Sequence, residues 1–284
     1  MANNELVGIV GTGTMGSGIA QVAALNRKRV IAVDVQPQSL ERAKASITDS
    51  LSRMVKKGAV SDSDAKDAIG RIQFSTDYAD LAGADLLIEA ATEAFELKRS
   101  ILRKLAEIAG PESIIATNTS SLSVTLLAAD VPDPTRFIGI HFFNPVPLMP
   151  LVEVVRGVAT NDATSARAAS FVGERGKTPI VVRNSPGFVV NRLLIPMINE
   201  AFFLLGEGVA SAEEIDQGMK LGANHPIGPL ALADLIGLDV CLAVMDVLLK
   251  DFGDGKYRAA PALRELVAAG RLGKKARRGV YLYE

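Results

Sequence analysis

The sequence contains few of the residues that form disulfides, metal sites or acid–base centres. It has one cysteine, Cys241, and two histidines, His141 and His225, in 284 residues. A single cysteine excludes an intrachain disulfide, as is typical of the cytoplasm, and no cysteine–histidine cluster has metal-ligand spacing. We therefore predict a cytoplasmic protein with no metal. Cys241, in an apolar helix, is interpreted as core packing, and His225, in a loop before Pro226, as structural.

An excess of charge of one sign and long apolar runs are also lacking. The formal net charge is -1, so we do not expect a nucleic acid as partner. The longest apolar helix candidate, 188–205, is interrupted by Asn191, Arg192, Asn199 and Glu200, a pattern that a membrane span tolerates poorly. The N-terminal stretch MANNELVGIV lacks the basic and apolar regions of a signal peptide. We expect no membrane partner.

The first part of the sequence alternates short β-rich apolar runs with helix-like segments. The strand candidates are 6–10, 30–35, 85–90, 113–119, 137–143, 151–155 and 179–183. The helix candidates between them are 14–26, 37–57, 94–109 and 162–175. Continuous apolar strands that alternate with helices are typical of a parallel sheet covered on both faces. The sequence therefore predicts a doubly wound α/β domain.

The composition changes after Arg183. Asn184-Ser185-Pro186-Gly187 is a turn signal, and no β-rich run follows it. The helix candidates beyond this turn are 188–206, 212–221, 230–250 and 259–269. We predict an α/β domain over 1–184 and a helical domain over 185–284. The two longest helices are apolar on all sides, which predicts that they are buried in a dimer interface.

A glycine-rich turn joins the first strand candidate to the first helix candidate. The stretch VGIVGTGTMGSGIA (7–20) contains Gly11, Gly13 and Gly16 in the pattern G-x-G-x-x-G, and Asp34 ends the next strand. In this context Gly11 permits a tight turn, Gly13 lets the backbone approach a pyrophosphate, and Gly16 lets the helix pack close to the strand. Because Asp34 can accept hydrogen bonds from a ribose diol and would repel a 2′-phosphate, we predict NAD rather than NADP.

Six motifs follow one another along nearly the whole chain. They are GTGTMGSGIAQ (11–21), IEAATE (88–93), TNTSSLS (117–123), HFFNPVPLMPLVEV (141–154), SPGFVVNR (185–192) and LGANHPIGPLALADLIGLD (221–239). Together they resemble the L-3-hydroxyacyl-CoA dehydrogenase family in its short bacterial form. The resemblance implies a Rossmann-like, mostly parallel domain followed by a helical dimerisation domain. It also implies a homodimer that interconverts (3S)-3-hydroxyacyl-CoA and 3-oxoacyl-CoA with NAD.

The resemblance assigns the chemistry to four residues. His141 and Glu153, on neighbouring strand candidates joined by a Pro-rich turn, match the family's catalytic pair. A histidine can take the hydroxyl proton near neutral pH, while a carboxylate partner fixes its tautomer and favours the imidazolium. Ser120 and Asn191 match residues that hydrogen-bond the reacting oxygen and position the substrate. The alternatives are a turn serine, with Ser121 in the assigned role, and an interdomain hydrogen bond for Asn191.

The resemblance also extends the cofactor site beyond the glycines. Thr14 and Met15 lie within the glycine loop, and Asn118 is expected near the cofactor. Glu93 and Lys98, at the start of a helix candidate, match contacts to the nicotinamide ribose. A charge pair on the helix surface is the alternative interpretation of these two residues.

The substrate contacts implied by the resemblance are Ser120 and four further residues. Ser50, Lys56 and Lys57 lie late in a helix candidate, where the family binds the pantetheine and phosphates of CoA, and lysine charges suit phosphates. Solvated lysines favoured by the helix dipole are the alternative. Asn144 is expected near the thioester.

Two other functions share parts of this pattern. A sugar-acid dehydrogenase of the L-gulonate type would share the glycine loop and the HFFNP segment, but it would have no need of the basic helix end at 50–57. A non-catalytic NAD-binding protein on the same fold is the second alternative, because a fold does not by itself determine a function. Such a protein would not be expected to keep all four catalytic candidates.

The C-terminal segment departs from the family pattern. Relatives have a run such as GRKTGRGVY, whereas this sequence has GKKARRGVY (273–281). Ala276 and Arg277 therefore replace a small polar residue and a glycine. We expect the change to affect the conformation of the tail and its interface contacts rather than the chemistry.

Overall fold

The structure is a computed structural model that describes residues 5–284, apart from the side chain of Arg175. The chain divides into two compact units, Met1–Asn184 and Ser185–Glu284. The first contains the sheet, and the second is helical. Within residues 5–284, no helix combines the length and the apolar character needed to cross a bilayer.

A sheet of eight strands forms the centre of the first unit. The strands are β1 (Leu6–Val10), β2 (Arg29–Val33), β3 (Ile72–Ser75), β4 (Leu86–Glu89), β5 (Ile114–Thr117), β6 (Phe137–Phe142), β7 (Leu151–Arg156) and β8 (Thr178–Arg183). Their order is β3-β2-β1-β4-β5-β6-β7-β8. Neighbouring strands are parallel except β6 and β7, which are antiparallel. The predicted α/β fold with a mostly parallel, doubly wound sheet is confirmed.

Six α-helices accompany the sheet in the described part of this unit. They are α1 (Thr14–Leu25), α2 (Pro37–Lys56), α3 (Asp62–Gly70), α4 (Phe95–Ile108), α5 (Val124–Leu127) and α6 (Asp162–Gly173). Every residue of β4, β5 and β6 is buried, which explains their continuous apolar sequences. α4 is amphipathic instead: it buries Ile101, Leu102 and Leu105 and exposes Arg103, Lys104 and Glu107.

α3 and β3, at one edge of the sheet, were not predicted from the sequence. β3 has the sequence IQFS, and only Ile72 in it is buried. An edge strand has one neighbour and needs few apolar residues, so its composition is a weak signal. With β3 in place, the strand order reverses between β1 and β4. Ligands of open α/β sheets bind at such a switch point, beyond the carboxyl ends of the strands.

The second unit contains five α-helices: α7 (Val190–Gly206), α8 (Ala212–Gly222), α9 (Pro229–Ile236), α10 (Leu238–Phe252) and α11 (Pro261–Ala268). The prediction of one helix over 230–250 is wrong. Gly237, with φ of 109°, separates α9 from α10, because this backbone conformation ends a helix and is open mainly to glycine. Ile198, Phe202 and Met245 are fully buried in the core that these helices share.

Two buried aspartates hold the C-terminal tail of this unit. Asp216 accepts a hydrogen bond of 2.9 Å from the hydroxyl of Tyr281, as well as the first N–H groups of α9. Asp234 accepts the backbone N–H groups of Val280 and Tyr281, both at 2.9 Å, and the hydroxyl of Tyr283 at 3.0 Å. We call Asp216, Asp234, Tyr281 and Tyr283 the tail cluster. All of its donors are neutral.

The tail turns at Arg277, whose φ is 56°. This left-handed conformation costs a non-glycine residue about 1 kcal/mol. The turn is formed nonetheless, since the carbonyl of Arg277 accepts the N–H of Tyr283 at 3.0 Å. The backbone at Arg277 is therefore a point of local strain.

Candidate active site

His141 and Glu153 face each other on the antiparallel strands β6 and β7. They are paired residues in the register of the two strands. Nδ1 of His141 lies 2.7 Å from Oε2 of Glu153. The side chain of Glu153 is fully buried, and that of His141 is 7% exposed. A buried carboxylate at this distance from an imidazole holds the ring in one orientation.

The surroundings of His141 are fixed by neighbouring strands and loops. Asn118, at the end of β5, accepts the backbone N–H of Phe142 at 3.0 Å. The ring of Phe143 lies 4.5 Å from the imidazole, measured between centroids. The ammonium of the buried Lys177 donates to the carbonyls of Val146 and Met149 in the Pro-rich turn between the two strands. Burial lowers the pKa of Lys177.

The glycine loop has close packing at Gly11 and Gly16. Gly11 has φ of 93°, and a Cβ on it would lie 2.8 Å from the backbone of Ala90. A Cβ on Gly16 would lie 1.8 Å from the carbonyl oxygen of Gly11. The hydroxyl of the buried Ser17 donates to the carbonyl of Thr12 at 2.8 Å and braces the loop. Both glycines are therefore required by the turn itself.

Gly13 differs, because a Cβ on it would meet no protein atom within 4 Å. Gly13 and Thr14 are exposed, and Met15 is half-buried. No side chain in the described part of the chain caps α1 at Gly13. An open helix N-terminus with a glycine at its mouth suits the close approach of a pyrophosphate. The loop thus fits a dinucleotide.

Asp34 lies beside this loop. Its Oδ2 accepts the N–H of Thr12 at 2.9 Å and the hydroxyl of Thr12 at 3.1 Å, and its Oδ1 accepts the N–H of Gln36 at 3.0 Å. The carboxylate is half-buried at the end of β2. It thus lies where a dinucleotide on the loop would present a ribose diol.

Glu93 organises the loop that follows β5. Its Oε1 accepts the hydroxyl of Thr119 at 2.5 Å and the N–H groups of Ser120 and Ser121 at 2.8 and 3.1 Å. Both serine hydroxyls also lie within 3.3 Å of this oxygen. Burial acts to raise the pKa of Glu93, but the ammonium of Lys98 and these hydrogen bonds hold that pKa below its usual value. Glu93 is therefore an anionic anchor for the serine loop 119–121.

Lys98 is not on the surface of α4. Its side chain has no exposed area, and its ammonium lies 2.8 Å from Oε1 of Glu89 and 3.3 Å from Oε2 of Glu93. A surface pair with Glu93 is therefore the wrong description of this residue. The side chain of Lys98 has no exposed area, and a contact between Lys98 and the cofactor stays a prediction.

The remaining candidates lie in other parts of the chain. Ser50 is half-buried on α2, and Lys56 and Lys57 are exposed at the end of that helix. Asn144 is exposed in the Pro-rich turn. Asn191 is half-buried in the first turn of α7, in the second unit. His225 lies in the loop before α9, and Cys241 is fully buried in α10.

Several residues that support the site are not among those predicted from the sequence. Glu89 ends β4 and Thr117 ends β5, and both read as ordinary strand residues. Lys177 precedes β8 and has no motif around it. The available signal was chemical: a carboxylate or an ammonium next to a buried apolar run needs a partner. Which partner it finds depends on contacts far apart in the sequence.

Two family models match consecutive parts of the chain. Residues 6–185 match the NAD binding domain of 3-hydroxyacyl-CoA dehydrogenase. Residues 187–283 match the C-terminal domain of 3-hydroxyacyl-CoA dehydrogenase. Together the two matches span nearly all of the described residues.

Relatives agree over the full length. A 3-hydroxybutyryl-CoA dehydrogenase of Bradyrhizobium diazoefficiens is 50% identical over 98% of this chain and 94% of the relative. One of Clostridioides difficile is 46% identical over 97% and 98%. The crystal structure of an (S)-3-hydroxybutyryl-CoA dehydrogenase from Ralstonia eutropha superposes with a TM-score of 0.96 at 55% identity, over 99% of this chain and 100% of that one. The chain belongs to the 3-hydroxyacyl-CoA dehydrogenase family and is an NAD-dependent oxidoreductase of 3-hydroxyacyl-CoA, which confirms the prediction made from its motifs.

Proposed function

We propose that the substrate is (3S)-3-hydroxybutyryl-CoA, with acetoacetyl-CoA as its oxidised form, and that His141 and Glu153 are the acid–base pair. The observation that carries the proposal is the buried 2.7 Å contact between the two side chains. Oxidation of a secondary alcohol needs a group that removes the hydroxyl proton while hydride leaves the carbon. An imidazole backed by a carboxylate is suited to that task.

The geometry suggests how the proton is handled. Glu153 accepts the proton on Nδ1 of His141, which leaves the lone pair of Nε2 to take the proton of the substrate hydroxyl. The buried carboxylate stabilises the imidazolium that forms, and in the reverse direction Nε2 returns the proton to the ketone oxygen. When bound, NAD supplies the hydride acceptor for oxidation and, in reduced form, the donor for reduction.

Ser120 and Asn191 are proposed to contact the reacting part of the substrate. Ser120 follows β5 on the loop that Glu93 holds, at the carboxyl edge of the sheet. Neutral donors of this kind stabilise charge that develops on an oxygen. Asn144, exposed in the turn after His141, is proposed to lie near the thioester.

The cofactor is proposed to lie along the carboxyl ends of β1, β2, β4 and β5. The glycine loop with Thr14 and Met15 would hold the pyrophosphate, and Asp34 the adenosine ribose. Glu93 is proposed to contact the nicotinamide ribose, with Asn118 nearby. The open space at Gly13 and the position of Asp34 against Thr12 support this placement.

The CoA moiety is proposed to bind at the end of α2. Lys56 and Lys57 are exposed there, and Ser50 lies two turns earlier on the helix. Ammonium groups on mobile stems attract phosphates without demanding one geometry. A CoA site also separates the acyl-CoA function from a sugar-acid function, which has no use for these lysines.

The acyl chain is proposed to be short. The full-length relatives from Bradyrhizobium diazoefficiens and Clostridioides difficile are 3-hydroxybutyryl-CoA dehydrogenases. A 3-hydroxyadipyl-CoA dehydrogenase of Escherichia coli is 42% identical over 99% of this chain and 59% of its own length, so a dicarboxylic acyl group is the second candidate.

A homodimer formed through the helical unit is also proposed. Leu193 on α7 is 71% exposed, and Leu235 on α9 is 59% exposed, although both helices are rich in apolar residues. Apolar side chains on such helices are typical of subunit interfaces. The single, buried Cys241 suits a cytoplasmic location.

The proposal is tested by following NADH absorbance with 3-oxoacyl-CoA substrates from C4 to C16, and with 3-oxoadipyl-CoA. We expect the highest kcat/KM with acetoacetyl-CoA. In His141→Asn, kcat should fall about 1000-fold because no base remains at the hydroxyl. A higher kcat/KM with 3-oxoadipyl-CoA than with acetoacetyl-CoA would make the dicarboxylic acyl-CoA the substrate in place of the C4 one. If the unmodified protein turned over no acyl-CoA, the proposed function would be refuted.

A matched pair of variants tests the CoA site. Lys56→Ala/Lys57→Ala should raise KM for acetoacetyl-CoA with little change in kcat, because phosphate binding is equal in the ground and transition states. Lys66→Ala serves as the control, since Lys66 is an exposed lysine on the next helix that pairs with Asp62. Equal KM values in all three proteins would exclude this end of α2 as the CoA site.

A further inference from the structure

Lys98 and Glu89 form an ion pair behind the serine loop. Neither side chain has any exposed area. The ammonium lies 2.8 and 3.0 Å from the two carboxylate oxygens of Glu89, and it also donates to the carbonyl of Ala91 at 3.2 Å. Such a pair is costly to bury, and apolar residues of the same volume would often be as stable. The pair therefore calls for an explanation other than stability.

Glu89 is itself held on several sides. It is the last residue of β4 and lies between Val10 of β1 and Thr117 of β5 in the sheet register. Its Oε1 accepts the N–H of Ala91 at 2.7 Å, and its Oε2 accepts the hydroxyl of Thr117 at 2.6 Å. With Lys98, each oxygen has two donors. Glu89 is thus a rigid anion at the point where the strand order reverses.

Lys98 links Glu89 to Glu93 and the serine loop. On its other side the ammonium lies 3.3 Å from Oε2 of Glu93. The second oxygen of Glu93 accepts the N–H groups of Ser120 and Ser121. A continuous series of contacts thus runs from Glu89 at the sheet to the serine loop, and each link is charged or charge-assisted. Charge-assisted hydrogen bonds are the stronger and better oriented kind.

In a dinucleotide-binding sheet of this order, the second nucleotide half lies over the strands beyond the switch point, here β4 and β5. We propose that Glu89 is a positioning residue for the cofactor: through Lys98 it fixes the carboxylate of Glu93, and with it the loop 119–121, in the arrangement that receives the nicotinamide half of NAD. This inference rests on the proposed contact of Glu93 with the cofactor.

The charges around the cluster agree with this role. Two carboxylates face one ammonium, and the pKa of Glu93 stays below its usual value, although burial acts to raise it, because of the charge of Lys98 and the hydrogen bonds that Glu93 accepts. Tyr78 also lies near enough to feel the charge of Glu89: its pKa is raised by burial and by the charges of Asp34 and Glu89. The ammonium of Lys104 lies 5.2 Å above the ring of Tyr78, on the outer side.

The chain contains a matched control at the beginning of β2. Lys28, immediately before that strand, is also a buried lysine with two carboxylates, Glu5 at 2.9 Å and Glu174 at 3.1 Å. Its side chain is 2% exposed. Lys28 thus resembles Lys98 in having two carboxylate partners and a buried side chain. Lys28 lies at the amino end of a strand, however, and this end is remote from the edge where ligands bind in this fold. Lys28→Met should therefore reduce stability without changing cofactor affinity.

The experiment measures the Kd of NADH by its fluorescence, together with Tm, for the wild type and four variants. We expect Glu89→Gln and Lys98→Met each to raise Kd about 10-fold, and Lys28→Met to leave it within 2-fold. The double variant Glu89→Gln/Lys98→Met should bind no more weakly than Lys98→Met, because both changes break one link. A Kd for Glu89→Gln within 2-fold of wild type, or an equal effect of Lys28→Met, would overturn the proposal.

The pH profile separates positioning from simple loss of structure. In Lys98→Met two carboxylates share the site without a cation, so one takes up a proton and NADH affinity should fall from pH 8 to pH 6. Wild-type affinity should change less over this range, and identical profiles would count against the proposal.

If Glu89→Gln does not fold, Thr117→Val tests the positioning role instead. This variant keeps all three charges and removes one hydrogen bond to Glu89. It should raise Kd about 3-fold, and an unchanged Kd would refute the role. Turnover of acetoacetyl-CoA by the wild type tests the proposed function separately.

Discussion

Buried carboxylates occur in both units of this chain, and their partners differ. In the first unit the buried Glu153 faces an imidazole, and the buried Glu89 faces an ammonium that it shares with the partly exposed Glu93. In the tail cluster of the second unit, Asp216 and Asp234 accept hydrogen bonds from backbone N–H groups and phenol hydroxyls. Both arrangements satisfy the carboxylate oxygens, so the difference does not lie in the number of hydrogen bonds.

The difference lies in what the partner can do. An imidazole can gain or lose a proton near neutral pH, and an ammonium carries a charge that attracts or repels the charged groups of an approaching ligand. A backbone N–H or a tyrosine hydroxyl with a raised pKa contributes only a directed hydrogen bond. Such a bond fixes the path of the chain. The carboxylates of the candidate site are thus paired with groups that titrate or carry charge, whereas the carboxylates of the tail cluster are paired with neutral donors that fix the path of the chain.

The largest effect is expected when the pair of His141 and Glu153 loses the charge of its carboxylate. Glu153→Gln keeps an oxygen that can accept the proton of Nδ1, but it removes the charge that stabilises the imidazolium. We expect kcat with acetoacetyl-CoA and NADH to fall about 1000-fold, with a smaller change in KM. A kcat within 3-fold of wild type would mean that Glu153 has no part in the chemistry.

The matched change in the tail cluster should affect stability instead. Asp234→Asn turns one acceptor oxygen into an NH2 group that faces at least one N–H donor, which should lower the free energy of unfolding by about 3 kcal/mol. We expect kcat per folded molecule to stay within about 2-fold of wild type. Urea denaturation and the NADH assay measure the two quantities, and a large loss of kcat would remove the contrast between the clusters.

A pH dependence follows from the tyrosines. Burial and the hydrogen bond to Asp234 raise the pKa of Tyr283 to about 12, above the value of about 10 in an unfolded chain. The neutral phenol is therefore favoured in the folded state, and its stabilisation is complete below pH 10 and lost as pH rises to 12. Tyr283→Phe should cost about 1.5 kcal/mol at pH 7 and show a shallower loss between pH 10 and 12. Guanidinium denaturation at several pH values measures both the difference in stability at pH 7 and its change between pH 10 and 12. Parallel curves of stability against pH for the wild type and Tyr283→Phe would contradict a raised pKa for Tyr283.

The smallest effect concerns the turn of the tail. Arg277→Gly relieves the left-handed strain but adds freedom to the unfolded chain, so we expect a gain in stability of up to about 1 kcal/mol. Ala276→Gly is the control, because Ala276 lies in a helical turn with ordinary backbone and should lose about 0.5 kcal/mol. A loss of stability in Arg277→Gly would show that the arginine side chain contributes more than the strain costs.

Much of the fold follows from short stretches of sequence. β1, the glycine loop and α1 could be predicted because a positive φ at Gly11, the apolar strand and the following helix are encoded within neighbouring residues. The strands at the centre of the sheet are recognisable because they are apolar on both faces. The edge strand β3 and the break at Gly237 could not be predicted, because an edge needs little apolar surface and a single glycine within a helical pattern is ambiguous.

The sequence by itself determined the family, the cofactor and the residue types of the candidate site, because these depend on motifs of adjacent residues. Only the tertiary structure decided that Lys98 is buried between Glu89 and Glu93, that Glu93 holds the serine loop, and that Asp234 holds the tail. The physical reason is that burial and pairing of a charge depend on groups brought together from distant parts of the chain, and no local pattern records which of them will meet.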